Sequence, residues 1–157
     1  MSRRNGRILA VQALYSYDVG KASLNDLLRL EWTHDDFGGR NAGDEPEKEA
    51  GRNDAAVRAQ AESCDFARLL ISGTIEHIDE IDRKIKRHLS GSWDFSRLNR
   101  VTLSILRVSV FALLYQRELK PTIVIDEAIA ISKEFGTDNS FKFINAILDT
   151  ISKEEVA

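Results

Sequence analysis

Residues 98–115 read LNRVTLSILRVSVFALLY, and this stretch decides the fold. Leu98, Val101, Ile105, Val108 and Ala112 recur at the spacing of one helix stripe, while Leu103, Leu106, Val110 and Leu113 form a second. A helix apolar on two sides is enclosed by other helices, so this one belongs at the centre of a bundle, with Ser96 as a candidate N-cap. Thr102, Ser104, Arg107 and Ser109 interrupt the run from Val101 to Tyr115, which is shorter than the ~18 residues of a membrane span.

Working outward, Pro121 follows the end of this helix, and Ile125, Ala128 and Ile129 start another that stops at Gly136, a residue suited to the position just past a helix end. The last helix carries Phe141, Ile144, Leu148 and Ile151 on one side, with Thr137, Asp138 or Ser140 available to cap it. Upstream, Phe66, Leu70, His77, Ile78, Ile81, Ile85 and Leu89 keep helical spacing up to Ser90-Gly91, so one long amphipathic helix is expected. At the N-terminus Ile8, Val11, Leu14 and Tyr15 form one stripe and Leu9, Ala13 and Tyr17 a second. A further helix is expected over Leu24 to Trp32, capped by Ser23. The segment 34–62 has almost no large apolar side chains and contains Gly38, Gly39, Gly43, Pro46 and Gly51. It cannot offset its ordering entropy and reads as a mobile acidic loop. No sustained period-2 alternation and no solenoid repeat is present. The expectation is a single all-α domain over residues 1–157, a compact bundle of about six to seven helices.

At 157 residues, 43 % hydrophobic and 30 % charged, the chain lies within the range of one soluble domain. A domain of this size buries roughly 68–70 % of its unfolded surface and needs neither metal nor disulfide to fold. The single cysteine, Cys64, has no internal partner, which points to a reducing, cytoplasmic setting. The N-terminus lacks a clean apolar core followed by a small-residue cleavage site, so it does not read as a signal peptide. The net charge of −3 hides an asymmetry. Residues 31–65 hold ten acidic and four basic side chains, which leaves 18 basic against 15 acidic elsewhere. A nucleic-acid partner is compatible with that distribution.

Two constellations carry possible function. Arg3, Arg4 and Arg7 are followed by Gln12, Tyr15 and Tyr17, and on a helix Arg4, Arg7 and Tyr15 project within about 80° of one another. Arginines contact phosphates and tyrosines stack on unpaired bases, as in single-stranded RNA binding. A basic terminus beside core tyrosines would look the same. In KEFGTDNSFKFINAILD (133–149) a helix passes through a polar turn into another helix, placing Asn139, Ser140 and Lys142 where a phosphate or a partner backbone could dock. Ordinary capping explains that pattern equally. Asp126 and Glu127 point different ways on a helix and read as favourable charge in its first turn. His34, His77 and His88 show no metal-ligand spacing, and there is no phosphate loop, nucleophile elbow or Cys/His cluster. Nothing here argues for catalysis, a metal or a cofactor.

Three stretches together resemble the NusB family: RRNGRILAVQALYSYD (3–18), LNRVTLSILRVSVFALLY (98–115) and PTIVIDEAIAISKEFGTDNSFKFINAILD (121–149). The last is the most specific, with D-E-A-I, then K-E-F-G, a polar turn, and K-F-I-N. The resemblance implies two helical subdomains and a transcription antitermination factor that binds the boxA element of ribosomal RNA operon transcripts. It also implies a heterodimer with NusE, the ribosomal protein that doubles as a transcription factor, within a complex on RNA polymerase. It places Arg3, Arg4, Arg7, Gln12, Tyr15, Lys142 and Phe143 on the RNA side, and Thr102, Asn139 and Ser140 toward the partner. The family often has an acidic residue at the positions of Thr102 and Asn139, so this chain lacks those charges. Two rivals follow from the same residues. One is a protein adapter without RNA contact. The other is the isolated NusB-like recognition domain of a ribosomal RNA cytosine methyltransferase, which would continue into a cofactor-binding domain absent from the sequence up to Ala157.

Overall fold

The computed structural model describes residues 2–29, 54–89, 94–137 and 139–156. Seven α-helices lie among them, and no strand: α1 (Ser2–Val19), α2 (Leu24–Arg29), α3 (Asp54–Glu76), α4 (Ile78–Arg87), α5 (Arg100–Tyr115), α6 (Pro121–Phe135) and α7 (Ser140–Val156). A 3-10 turn at Phe95–Arg97 precedes α5.

Helix α5 is the axis of the bundle. Every residue from Thr102 to Leu114 is buried, and the helix packs on α1, α3, α4, α6 and α7. Helices α1, α2 and α3 pack on one another to form one group. Helices α6 and α7 pack together on α5 to form the second, and the groups meet where α5 crosses α1 and α3. One continuous hydrophobic cluster runs through both. The cap differs from expectation. Asn99, not Ser96, starts α5, its Oδ1 accepting from the N–H groups of Val101 at 3.0 Å and Thr102 at 3.2 Å. Asp94 caps the 3-10 turn through the Ser96 N–H. Ser96 is taken up inside the 3-10 turn, which leaves Asn99, the residue immediately before α5, to meet its orphan donors.

Close helix approach explains two glycines. A Cβ on Gly6 of α1 would lie 2.8 Å from the Phe66 ring and 2.9 Å from the Ser63 carbonyl of α3. One on Gly73 of α3 would lie 2.2 Å from Phe111 of α5. Buried Arg107 of α5 ties the groups together, donating to both carboxylate oxygens of Asp82 on α4 at 2.9 Å, with Asp18 of α1 at 3.9 Å.

The expected single helix from Phe66 to Leu89 is broken at His77. A straight helix from residue 54 to 89 would span about 54 Å, far longer than so small a domain is wide. The break redirects α4 so that Ile81 and Ile85 enter the core. The acidic loop expected over 34–62 also ends early: residues 34–53 lie outside the described residues, but 54–62 open α3. That segment, DAAVRAQAE, has no Gly or Pro and four alanines, so the helix anchored by Ala67 and Leu70 extends back through it. Ser23 caps α2 through the Asp26 N–H as expected; residues 30–32 of the expected helix lie outside the described residues. Helix α6 starts at Pro121, earlier than expected, which puts Asp126 and Glu127 beyond the first turn.

Candidate nucleic-acid and partner face

Helices α1 and α6 run alongside each other without packing closely, and an ion pair joins them at one end. Arg4 Nε and Nη2 donate to the two carboxylate oxygens of Glu127 at 2.9 and 3.1 Å. The hydrogen bonds from Arg4 hold the Glu127 carboxyl below the usual carboxylate range, with attraction to Arg4 and Arg7 adding to this and burial opposing it. Arg4 is correspondingly raised, first by its bond to Glu127. One turn further along each helix, Ile8 and Ile131 begin a cleft of about 320 Å3. Its remaining walls are Val11, Gln12, Tyr15 and Ser16 of α1, Val101 of α5 and Phe135 of α6. Tyr15 is 41 % exposed at its edge, Phe135 is exposed as well, and the buried Oε1 of Gln12 accepts no hydrogen bond. The cleft therefore offers π surface, apolar walls and one acceptor whose desolvation is uncompensated.

The three arginines separate. Arg3 lies in the first turn of α1, and its side chain falls outside the described residues. Arg4 is exposed but held by Glu127. Arg7 is only 7 % exposed, with its guanidinium 5.2 Å from the centre of the Phe66 ring, so it works inside the α1–α3 contact.

At the α6–α7 junction, Lys142 is exposed as expected, but its neighbouring ring is Phe141. Lys133 Nζ lies 4.9 Å and Lys142 Nζ 6.0 Å from the Phe141 ring centre. Phe143, expected to offer the stacking surface, is half-buried against the core. Both rings are half-buried, and it is Phe141 that lies beside the two lysines. Asn139 is exposed and left-handed, with φ 68°, a conformation asparagine tolerates. Ser140 is buried, its hydroxyl donating to the Thr137 carbonyl at 2.8 Å. Gly136 has φ −89°, which any residue adopts; space is what requires glycine, because a Cβ would lie 2.6 Å from the Ser132 carbonyl and 2.7 Å from Ser140 Oγ. Thr102 is 4 % exposed and presents no surface of its own. Asp138 lies outside the described residues.

Among the described residues no three His, Cys, Asp or Glu side chains gather as metal ligands, and no helix is long and apolar enough to cross a membrane.

The model of the NusB family matches residues 4–153, nearly the whole chain. The chain belongs to the NusB family. The transcription antitermination protein NusB of Treponema denticola is 43 % identical over 154 residues, covering 98 % of each chain. That of Treponema pallidum strain Nichols is 38 % identical over 153 residues, covering 98 % of this chain and 94 % of the relative. Among solved structures, that of T. maritima NusB superposes with a TM-score of 0.71 at 30 % identity, covering 97 % of this chain and 91 % of that one. A crystal structure of antitermination factors NusB and NusE in complex with dsRNA superposes with a TM-score of 0.73 at 23 % identity, covering 98 % and 97 %, which shows a shared fold.

In this NusB-family chain, sequence reasoning missed Glu127 as the partner of Arg4, Lys133 and Phe135 as surface groups, and half-buried Phe141 as the ring beside Lys133. Lys133 and Phe141 belong to different helices across the 136–139 turn, so no periodicity links them. Phe135 did carry a signal, as an aromatic directly before the helix-ending Gly136.

Proposed function

We propose that this NusB-family chain is a transcription antitermination factor. It binds boxA RNA of ribosomal RNA operon transcripts together with NusE, and so promotes complete transcription of rRNA genes. It does this in the cytoplasm, within an RNA polymerase antitermination complex and without catalysis. The observation that carries this reading is the gathering of Arg4, Lys133 and Lys142 with the rings of Tyr15, Phe135 and Phe141 along α1 and the α6–α7 junction, in a chain of this family. Cations neutralise phosphates, and sequence-tolerant stacking on aromatic rings holds unpaired bases.

In this reading Arg3, Arg4, Gln12, Tyr15 and Lys142 contact RNA, joined by Lys133 and Phe141. Arg7 and Phe143 shape that surface from beneath, since each packs inward. NusE meets the turn at Asn139, with Ser140 holding the start of α7 through its buried hydroxyl and Thr102 the start of α5 through its backbone N–H, which donates to Asn99. An NMR titration of the 15N-labelled chain with boxA RNA tests the assignment. The largest shifts are expected in α1 and at residues 133–142; a response centred on α4 would overturn it.

The adapter reading draws support from Arg4 and Arg7, both already engaged within the protein. It predicts NusE binding that is indifferent to added boxA RNA.

A further inference from the structure

A second pocket, of about 350 Å3, opens between the C-terminal ends of α3 and α5 and shares no lining residue with the α1–α6 cleft. Gly73 makes it possible, since only its missing Cβ lets the Phe111 ring close the floor. Above that floor His77 stacks on Tyr115 with ring centres 4.2 Å apart, and the Tyr115 hydroxyl donates to Glu80 at 2.5 Å. Tyr115 nevertheless stays 43 % exposed.

The electrostatics of this pocket have one sign. Two helices end at it, neither with a basic residue in its last turn; the start of α4 follows the α3 end directly across His77, and the α5 end receives one donor from Arg117. Exposed Glu76 and Glu118 stand on the rim. Arg117, just past the end of α5, donates to the Leu114 carbonyl at 3.3 Å and is not among the lining residues. Gln116 supplies the independent observation. It lines the pocket at 5 % exposure, and its buried amide oxygen accepts no hydrogen bond. An acceptor desolvated at this cost, under two carboxylates and beside an aromatic ring, calls for a donor from outside.

We propose that this pocket receives an arginine side chain from a basic segment of a protein partner. A guanidinium is planar and weakly hydrated, carries five donors and stacks on aromatic rings. It can therefore donate to the Gln116 oxygen and a rim carboxylate while lying against the Tyr115 ring. A lysine ammonium matches the carboxylates but not the flat aromatic edge, and an RNA phosphate is repelled by the Glu76 and Glu118 carboxylates.

The test uses the 15N-labelled full chain titrated with the peptide acetyl-Gly-Arg-Gly-amide and with its citrulline and lysine counterparts. The arginine peptide should give saturable shifts at residues 72–77 and 111–118, with the other two peptides about tenfold weaker, the loss of one charge-assisted hydrogen bond. Glu76→Gln with Glu118→Gln should weaken the arginine peptide by a similar factor. Gln116→Met should do the same without lowering Tm, because the oxygen it removes makes no hydrogen bond. Absence of saturable shifts there, equal response to citrulline or lysine, or unchanged affinity in the double variant overturns the proposal. So does concentration-dependent self-association abolished by Tyr115→Ala, which would assign the pocket to a second copy of the chain.

Discussion

Replacing Arg7 with alanine separates a residue that builds the proposed RNA face from one that touches RNA. Its guanidinium lies 5.2 Å from the Phe66 ring centre in a site where only 7 % of the residue is exposed. A desolvated cation–π contact is worth about 2 kcal/mol, and at 2–4 °C per kcal/mol for a chain of this size Tm should fall by roughly 4–8 °C. The binding signature should differ from the stability signature. Each phosphate contact to a single strand contributes about 0.7 to the slope of log K against log salt, so its loss costs ~2.6-fold more affinity at 50 mM than at 200 mM salt. Arg7→Ala should leave that slope unchanged, whereas Lys142→Ala, at an exposed position, should make it shallower by ~0.7. Differential scanning fluorimetry and fluorescence anisotropy with boxA RNA at several salt concentrations, below the variant's Tm, read the two quantities. An Arg7→Ala protein with unchanged Tm and a shallower slope would refute the reasoning, because the guanidinium would then be on phosphate and not on Phe66.

Asp82→Asn leaves Asp18, at 3.9 Å, as the carboxylate partner of buried Arg107 among the described residues and should cost about 3 kcal/mol in urea unfolding, while replacing Arg107 and Asp82 together by Met and Leu should recover most of it. Gly73→Ala forces Phe111 aside and should destabilise by roughly 1–3 kcal/mol on the same assay. Glu127 has a folded-state carboxyl below its unfolded value, so its contribution is full above the ordinary range near 4.5 and is lost as pH falls through that range and below. Acid unfolding followed by circular dichroism should therefore lose part of its pH dependence in Glu127→Gln. Lys133→Ala should weaken boxA binding about as much as Lys142→Ala, since both ammonium groups flank Phe141; anisotropy at one salt concentration checks this.

The fold was legible wherever packing imposes a period. Leu98 to Tyr115 carries apolar residues on two sides because α5 is surrounded, and that pattern alone places it at the centre. The break at His77 was not legible. Apolar spacing continues through it from Phe66 to Leu89, and neither proline nor glycine marks the site; the constraint is the length of helix the bundle can accommodate. The start of α3 was hidden for a related reason, because alanines carry helix propensity without the bulk that signals burial. In the candidate site, residue types were legible and their engagement was not. A sequence lists Arg4, Arg7 and Glu127 but cannot say that one arginine is clamped by Glu127 and the other folded under Phe66. Likewise Phe141 and Phe143, two apart on α7, point to different surroundings, and only the packing of Phe143 on the core decides which ring faces the lysines.

The most direct test of the account is the affinity of the purified chain for boxA RNA and for a scrambled RNA, with and without NusE, at two salt concentrations. The account predicts selective binding to boxA that NusE strengthens and added salt weakens. Equal, weak binding to both RNAs in the presence of NusE would contradict it.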